Sequence, residues 1–273
     1  MMPATGPGQI LVGVPARPVR LIRSSAVATG LRDWPDWFAD AHAEFRATLL
    51  AAAGYPCDFG VSSERTDQNW FTALDERQPG LGTAELAETL ADFVPLARSG
   101  PPRQSLVVLV GPPRRYPELA QHAAQFWAVL RQLTRQDRQP WPARYPLDPT
   151  SPDWRWCFAG QPWSVFGASP DYRHRRSRNL GRCLTIVFQL AGRVYEGLAG
   201  SPAGTAAKQR IRSRLGQYDL VGPHPHLGLI EQPVSYRWRR YFLPDDNRDV
   251  DEQACPWTAP SAWTRPPRLE VAR

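Results

Sequence analysis

Residues 169–182 carry the sequence SPDYRHRRSRNLGR and connect two apolar stretches that are typical of β-structure. The stretch before them, WRWCFAGQPWSVFGA at 154–168, predicts a hairpin that turns at GQP. The stretch after them, CLTIVFQL at 183–190, predicts a strand with one better-buried face. The connection, called the arginine loop below, holds five arginines, one histidine and a single acid, Asp171. Because guanidinium groups repel one another unless they face solvent or an anion, the loop predicts contact with phosphates or with the carboxylates of a bound molecule.

Helices and strands are interspersed along the rest of the chain. Apolar spacing predicts helices at 35–53, at 83–98, from about 117 onward and at 201–216, with a compact turn at 55–60. Apolar runs at 106–110 and 238–243 predict two further strands. The pattern predicts an α+β fold, with mixed α/β as the alternative, in which one domain contains a mostly antiparallel sheet flanked by helices. We expect this domain at 33–250, between an N-terminal tail at 1–32 and a proline-rich tail at 251–273.

Composition limits the class of protein. The chain has 273 residues, 42% of them hydrophobic, and 11 tryptophans, which indicates a folded globular protein. Its net charge of +7 comes almost wholly from arginine, since Lys208 is the only lysine. A GC-rich coding sequence explains that bias, and a general nucleic-acid binder would mix in lysine. Four widely spaced cysteines without a CxxC pair argue against a zinc site. No secretory segment and no membrane-length apolar run is present, so we expect a reduced, cytoplasmic protein.

Common catalytic motifs are absent from the sequence, which has no Walker loop, GxGxxG, HExxH or GxSxG. His42 and His122 border apolar helix faces, where a core histidine is expected. His224 lies in the loop GPHPH, where flanking prolines fix the direction of the ring, although local sequence alone favours an exposed turn. For Cys57, composition favours a buried structural thiol over a metal ligand.

Several short motifs in order resemble one family. YPCDFG at 55–60, FW at 126–127, the tryptophan-rich run at 141–160, the arginine loop, PHPHLG at 223–228 and RWRRYFLPDDN at 237–247 are together similar to the YqcI/YcgG family over about residues 45–247. The resemblance implies a haem protein of the N-oxygenase type that acts on guanidino compounds such as arginine in antibiotic or natural-product biosynthesis. It implies haem b as cofactor and a need for peroxide or for an external electron donor, a role that a redox partner protein can fill.

The resemblance also assigns roles to residues. His224 in the His-Pro loop is the implied axial ligand of the iron, with Cys57 as the alternative and His174 third. The haem propionates would bind the donors of the arginine loop, which are Tyr172, His174, Arg175, Arg176 and Arg178. This chain departs from the family pattern at His226 and Arg237, where acids are expected.

The implied reaction inserts one oxygen atom into a guanidine N–H and yields an N-hydroxyguanidine such as Nω-hydroxy-L-arginine. A guanidinium group requires a carboxylate, and the candidates are Asp171, Asp58, Glu231 and Asp219. The carboxylate of the substrate requires a cation, for which Arg182 or Arg173 is suited.

Three alternatives remain open. A non-catalytic haem carrier or sensor would share the ligand and propionate sites. A nucleic-acid-binding protein would use the arginine loop. In a haem-free fold the arginines would bridge acids such as Asp245, Asp246 and Asp249. The reading as an oxygenase predicts a small-molecule substrate and neither a nucleic-acid nor a membrane partner, and it leaves the oligomeric state open.

Overall fold

The computed structural model describes residues 20–29, 33–112, 118–227, 236–249 and 255–257. Its strands are β1 (Ile22–Arg23), β2 (Asn69–Leu74), β3 (Ser105–Val110), β4 (Cys157–Phe158), β5 (Gln161–Ala168) and β6 (Thr185–Leu190). Its helices are α1 (Asp36–Leu50), α2 (Asp58–Arg65), α3 (Thr83–Ser99), α4 (Leu119–Gln136), α5 (Ala191–Val194) and α6 (Pro202–Tyr218).

The strands form one sheet in the order β1-β2-β3-β6-β5-β4. Only β2 and β3 pair in parallel, joined through α3, and every other described pair is antiparallel. The prediction of an α+β fold with a mostly antiparallel sheet flanked by helices is confirmed. The predicted hairpin is β4 with β5, and the arginine loop closes the antiparallel pair of β5 with β6.

Two hydrophobic cores cover the two faces of the sheet. Successive residues of a strand point to opposite faces, and on β3 Leu106 and Val108 belong to the core under α3 and α4, while Val107 and Leu109 belong to the core under α1. This two-sided burial explains why β3 is apolar at every position after its first. The first core is rich in tryptophan and includes Trp154, Trp156 and Trp163.

Four predicted helices are confirmed as α1, α3, α4 and α6, and α6 begins where Ser201 accepts a hydrogen bond from the Gly204 backbone at 3.1 Å. The predicted strand at 238–243 is wrong, because the chain forms a 3₁₀ helix at Arg237–Arg240 and then a turn. Trp238 and Tyr241, three residues apart, are both buried, which suits three residues per turn. The turn expected at 55–60 is also wrong in its second half, because α2 begins at Asp58.

Parts of both predicted tails pack on the folded body. Ile22 and Arg23 pair with Phe71 and Trp70 of β2. Trp257 is 1% exposed, with its ring centroid 5.4 Å from that of Trp154. The rest of each tail lies outside the described residues. Among the described helices, none has the length and apolar character needed to cross a membrane.

Candidate functional site

Arg175 of the arginine loop is 1% exposed and holds a distant segment in place. Its guanidinium donates to the carbonyls of Pro244 and Asp246 and to Oδ1 of Asn247, each at 2.9 Å. In return, Asp245 accepts the backbone N–H groups of His174 and Arg175 at 3.0 and 2.8 Å. The loop and residues 244–247 therefore form one hydrogen-bonded unit. The haem-free alternative expected arginine side chains to bridge Asp245, whereas Asp245 accepts backbone N–H groups of the loop.

The other predicted propionate donors differ in their surroundings. Tyr172 donates to the carbonyl of Leu243, and His174 Nδ1 lies 3.0 Å from Asp245. Arg176 is exposed. Arg178 lies over the ring of Phe166 at 4.6 Å from its centroid and donates to the Gly167 carbonyl at 3.3 Å. Propionate binding by these residues stays a prediction, and Arg176 and Arg178 have the most donor capacity left for it.

His224 is buried, with 1% exposure, so the structure does not place it in an exposed turn. Its Nδ1 accepts the backbone N–H of His226 at 3.1 Å, and its buried Nε2 has no hydrogen-bond partner of good geometry in the described part of the chain. Burial, followed by the charges of His226 and Arg175, lowers its pKa from 6.5 to about 4 against an opposing effect of the Arg248 backbone. The ring is therefore neutral at pH 7.

A neutral imidazole with an unpaired buried nitrogen fits an iron ligand. Ligation through Nε2 requires the ring proton on Nδ1, which gives up the His226 N–H contact at a cost of about 1 kcal/mol. Next to His224, the ring of His226 lies 4.8 Å away, and its Nε2 lies 2.8 Å from Oδ1 of Asp249. This pair fixes the orientation of the His224 loop.

Cys57 is a half-buried free thiol that precedes the first residue of α2. Burial raises its pKa, although the backbone N–H groups of Gly60 and Phe59 and the charges of Arg178 and Arg214 act in the opposite direction. Its side chain packs against the core under α1. These surroundings favour the protonated thiol, so a thiolate ligand would have to lose a proton that the site retains.

The candidate carboxylates have protein partners. Asp58 pairs with Arg210 at 2.8 Å and also with Arg214. Asp171 lies 2.9 Å from Nδ1 of the buried His122. Asp219 accepts the backbone N–H and hydroxyl of Ser177, and Glu231 lies outside the described residues. Their catalytic role stays a prediction, as does that of Arg182, which pairs with Asp40 and Glu44, and of the exposed Arg173.

The two helix-face histidines behave as core residues. His42 is buried and hydrogen-bonds Ser24 at 2.9 Å. His122 is buried, and Ser169 approaches the same Nδ1 as Asp171 does, at 2.7 Å. In a catalytic triad the serine and the acid contact different ring nitrogens. The His122 cluster therefore does not have the geometry of a triad.

One face of β5 is only half covered. Trp163 and Val165 are buried in the tryptophan-rich core, whereas the alternate residues Ser164 and Phe166 remain partly exposed. Arg178 of the arginine loop lies on Phe166. Tyr55 donates to the Ser177 carbonyl of the same loop at 2.7 Å, and the ring of Phe59 in α2 lies 6.2 Å from that of Tyr195. The arginine loop thus contacts both the open strand face and the segment before α2.

A cavity of about 340 Å³ lies at the carboxyl ends of the parallel strands β2 and β3. Asp75, Glu76 and Arg77 line it, and Arg77 donates to both oxygens of Asp75 at 2.7 Å. Gly111 leaves the room that this pair needs, because a Cβ there would lie 2.6 Å from Asp75 Oδ2. This cavity was not predicted, because the apolar pattern of the sequence does not indicate β2.

No group of three or more metal-ligating side chains occurs within the part of the chain that the structure describes. This does not bear on a haem, whose iron takes one or two protein ligands. The candidates for an iron ligand are therefore single residues, and His224 has the most suitable surroundings among them.

Comparison with known proteins identifies the family. The model of the YqcI/YcgG family matches residues 45–258, and the chain belongs to this family. YcgG of Bacillus subtilis (strain 168), a protein of uncharacterised function, is 33% identical over 232 residues, which cover 82% of this chain and 89% of the relative. YqcI of the same organism, also uncharacterised, is 30% identical over 207 residues, which cover 74% of this chain and 80% of the relative.

A further relative carries a functional name. A Streptomyces lavendulae protein, provisionally named N(omega)-hydroxy-L-arginine synthase DcsA, is 28% identical over 260 residues, which cover 93% of this chain and 95% of the relative. No solved structure matches the chain at a significant level.

Proposed function

We propose that this chain is a haem-dependent monooxygenase that hydroxylates a guanidino nitrogen of L-arginine, or of a related guanidino compound, in natural-product biosynthesis. The observation that carries the proposal is the buried, neutral His224, whose Nε2 makes no hydrogen bond of good geometry among the described residues, although the Arg248 backbone is close enough to raise the pKa of the ring. The name of the Streptomyces lavendulae relative supports the reaction, because the match spans nearly the whole of both chains.

His224 would hold the iron of haem b, and Arg178 and Arg176 would bind its propionates. When bound, haem supplies the activation of dioxygen or peroxide and the transfer of one oxygen atom to nitrogen. With dioxygen, the overall reaction consumes L-arginine, two electrons and two protons and yields Nω-hydroxy-L-arginine and water. With hydrogen peroxide no external electrons are needed.

The remaining work falls to side chains of this protein. They must hold the guanidino group, exclude bulk water and handle protons. The apolar ring of Phe166 on the open face of β5 provides a wall for a flat hydrophobic group. Asp171 Oδ2 lies 2.9 Å from Nδ1 of His122, a contact that can hold the carboxylate in one orientation. Asp171 is the acid we assign to the guanidino group.

The test is product formation by the haem-reconstituted protein. Purified protein is incubated with L-arginine and either a reducing system in air or hydrogen peroxide, and mass spectrometry follows the gain of one oxygen atom. We expect product from wild type, none from His224→Ala, and wild-type amounts from His174→Ala, which removes an exposed histidine of the arginine loop. Haem binding without product from any guanidino compound would favour the carrier or sensor. Absence of haem binding would refute the proposal.

A further inference from the structure

Four basic residues meet near the 3₁₀ helix at Arg237–Arg240. With three residues per turn, Arg237 and Arg240 lie on the same side of this helix. Arg237 Nε donates to the carbonyl of Pro152 at 3.0 Å, which brings it to the segment that carries Arg155. Lys208 of α6 approaches from another direction, with its ammonium 4.6 Å from the centre of the Tyr195 ring. We call Arg155, Lys208, Arg237 and Arg240 the basic cluster.

The basic cluster lacks acidic partners in the described ranges. Arg240 makes no hydrogen bond or ion pair there, and its Nε is buried. Neither Arg155 nor Lys208 forms an ion pair with any described residue. A buried guanidinium without an acceptor is costly, because its lost hydration is not replaced. Such a group is retained where a ligand supplies the acceptor.

The members of the basic cluster also lower one another's pKa values, which agrees with their placement near one another. Burial is the main reason that the pKa values of Arg237, Arg240 and Lys208 are lowered. The charge of Arg155 lowers the pKa of both arginines further, and Arg240 does the same to Lys208. Asp153 is the one carboxylate that opposes these effects on Arg237, and it is the weakest contributor.

The cluster is also reachable. Arg155, Lys208, Arg237 and Arg240 all retain partial exposure, and Tyr195 is 36% exposed. A ligand can therefore reach these side chains from solvent. The basic cluster adjoins α2, because the ring of Tyr195 contacts both Lys208 and Phe59, with 6.2 Å between the centroids of the two rings.

We propose that Arg240, with Lys208, Arg155 and Arg237, binds a carboxylate of a small molecule at the basic cluster. The planar fork of Arg240 matches a carboxylate in two parallel hydrogen bonds, and the three neighbouring cations supply attraction. Two sources have this chemistry, the α-carboxylate of an amino-acid substrate and a propionate of haem. The identity of the ligand as substrate or haem rests on the proposed function, whereas the presence of a carboxylate site does not.

Binding measurements separate the two sources without any turnover. L-arginine is compared with agmatine, which keeps the guanidino group and lacks the carboxylate, and haem is compared with haem dimethyl ester, which lacks free propionates. Titrations monitored by tryptophan fluorescence and by absorbance give the affinities for wild type, Arg240→Met, Lys208→Gln and the control Arg138→Met. The control removes an exposed arginine that follows α4 and pairs with Glu88 on the surface, and thermal unfolding verifies that each variant is folded.

If the site binds the substrate, Arg240→Met weakens the affinity for L-arginine at least tenfold and leaves the affinity for agmatine unchanged. Lys208→Gln then has a smaller effect of the same kind. If it binds haem, the loss of the same size appears for haem and not for its dimethyl ester. In either case Arg138→Met keeps the wild-type affinity in that titration. The proposal would be overturned if Arg240→Met lost the same affinity for L-arginine as for agmatine, or for haem as for its dimethyl ester. Unchanged affinities in every titration would also overturn it. A protein that binds carboxylates at Arg240 and forms no hydroxylated product would refute the proposed function alone.

Discussion

The arginine loop and the basic cluster have similar charge and opposite surroundings. In the arginine loop, Arg175 donates to three acceptors of residues 244–247, and Arg182 pairs with Asp40 and Glu44. In the basic cluster, Arg240 has no such partner among the described residues, although its Nε is buried. The arginine loop, which has the highest density of charge in the sequence, thus forms a structural joint, meaning a contact that holds residues 244–247 on the folded body. The basic cluster, in which Arg240 has unmet hydrogen-bonding capacity, is the better candidate for a ligand site.

Replacement of Arg175 provides the largest expected effect. Arg175→Met removes the donor to three acceptors and releases residues 244–247, so we expect a loss of about 3–5 kcal/mol in the free energy of unfolding. Urea unfolding monitored by tryptophan fluorescence measures it. Arg176→Met, an exposed neighbour in the same loop, should change stability by less than about 0.5 kcal/mol. Equal, small effects of both variants would show that the loop is not a structural joint.

Stability should depend on the protonation of His224. Its pKa is lowered in the fold to about 4, so between pH 6.5 and 4 the unfolded chain binds more protons than the folded one. Stability is then fully present above pH 6.5 and is lost as the pH falls toward 4, by at most about 3 kcal/mol from this residue.

The matched control is His224→Gln, since burial also lowers the pKa of His42, His122 and His226. We expect a shallower decline in the variant than in wild type when urea unfolding is measured at pH 7 and pH 5. Parallel declines would contradict a neutral, buried His224.

Replacement of Arg240 should change the free energy of unfolding in the opposite direction to replacement of Arg175. Arg240→Met removes a partly buried charge without a partner in the described structure and keeps the apolar length of the side chain. We expect no loss of stability, and a gain of up to about 1 kcal/mol, because binding residues are often retained at the expense of stability. Urea unfolding of the ligand-free variant tests this. A loss as large as that of Arg175→Met would mean that Arg240 has a structural role.

The smallest effect is expected at Arg182. Its ion pairs with Asp40 and Glu44 lie on the surface, where solvent screens them. Arg182→Ala should shift the unfolding midpoint slightly, and the shift should shrink further at high salt. A large shift that persists in high salt would place Arg182 with Arg175 in the structural joint.

Much of the fold is predictable because its main elements bury continuous or periodic apolar surfaces. The strand β3 and the helix α4 follow directly from such patterns. The helix α2 was missed because DFGVSSER is mostly polar, and β2 was missed because its single stretch NWFTAL follows a polar segment. Trp238 and Tyr241 were assigned to a strand because a short apolar run does not distinguish a strand from a 3₁₀ turn.

The candidate site was predictable only in part. The resemblance identified His224, and the structure adds that its ring is buried and neutral. The partners of the arginine loop were harder to find, because Asp245 is 70 residues from Arg175 in sequence. The basic cluster was missed because its members come from three distant segments, each with ordinary charge. Convergence of that kind is created by the fold and leaves no local signal.

The absorption spectrum of the reduced, CO-bound protein after haem reconstitution tests the central claim most directly. If His224 is the iron ligand, we expect a Soret band typical of imidazole ligation, present in wild type and in Cys57→Ala and lost in His224→Ala. A red-shifted band typical of thiolate ligation, lost in Cys57→Ala and kept in His224→Ala, would contradict the assignment of the ligand. Absence of any Soret band from folded wild-type protein would contradict the haem-dependent function itself.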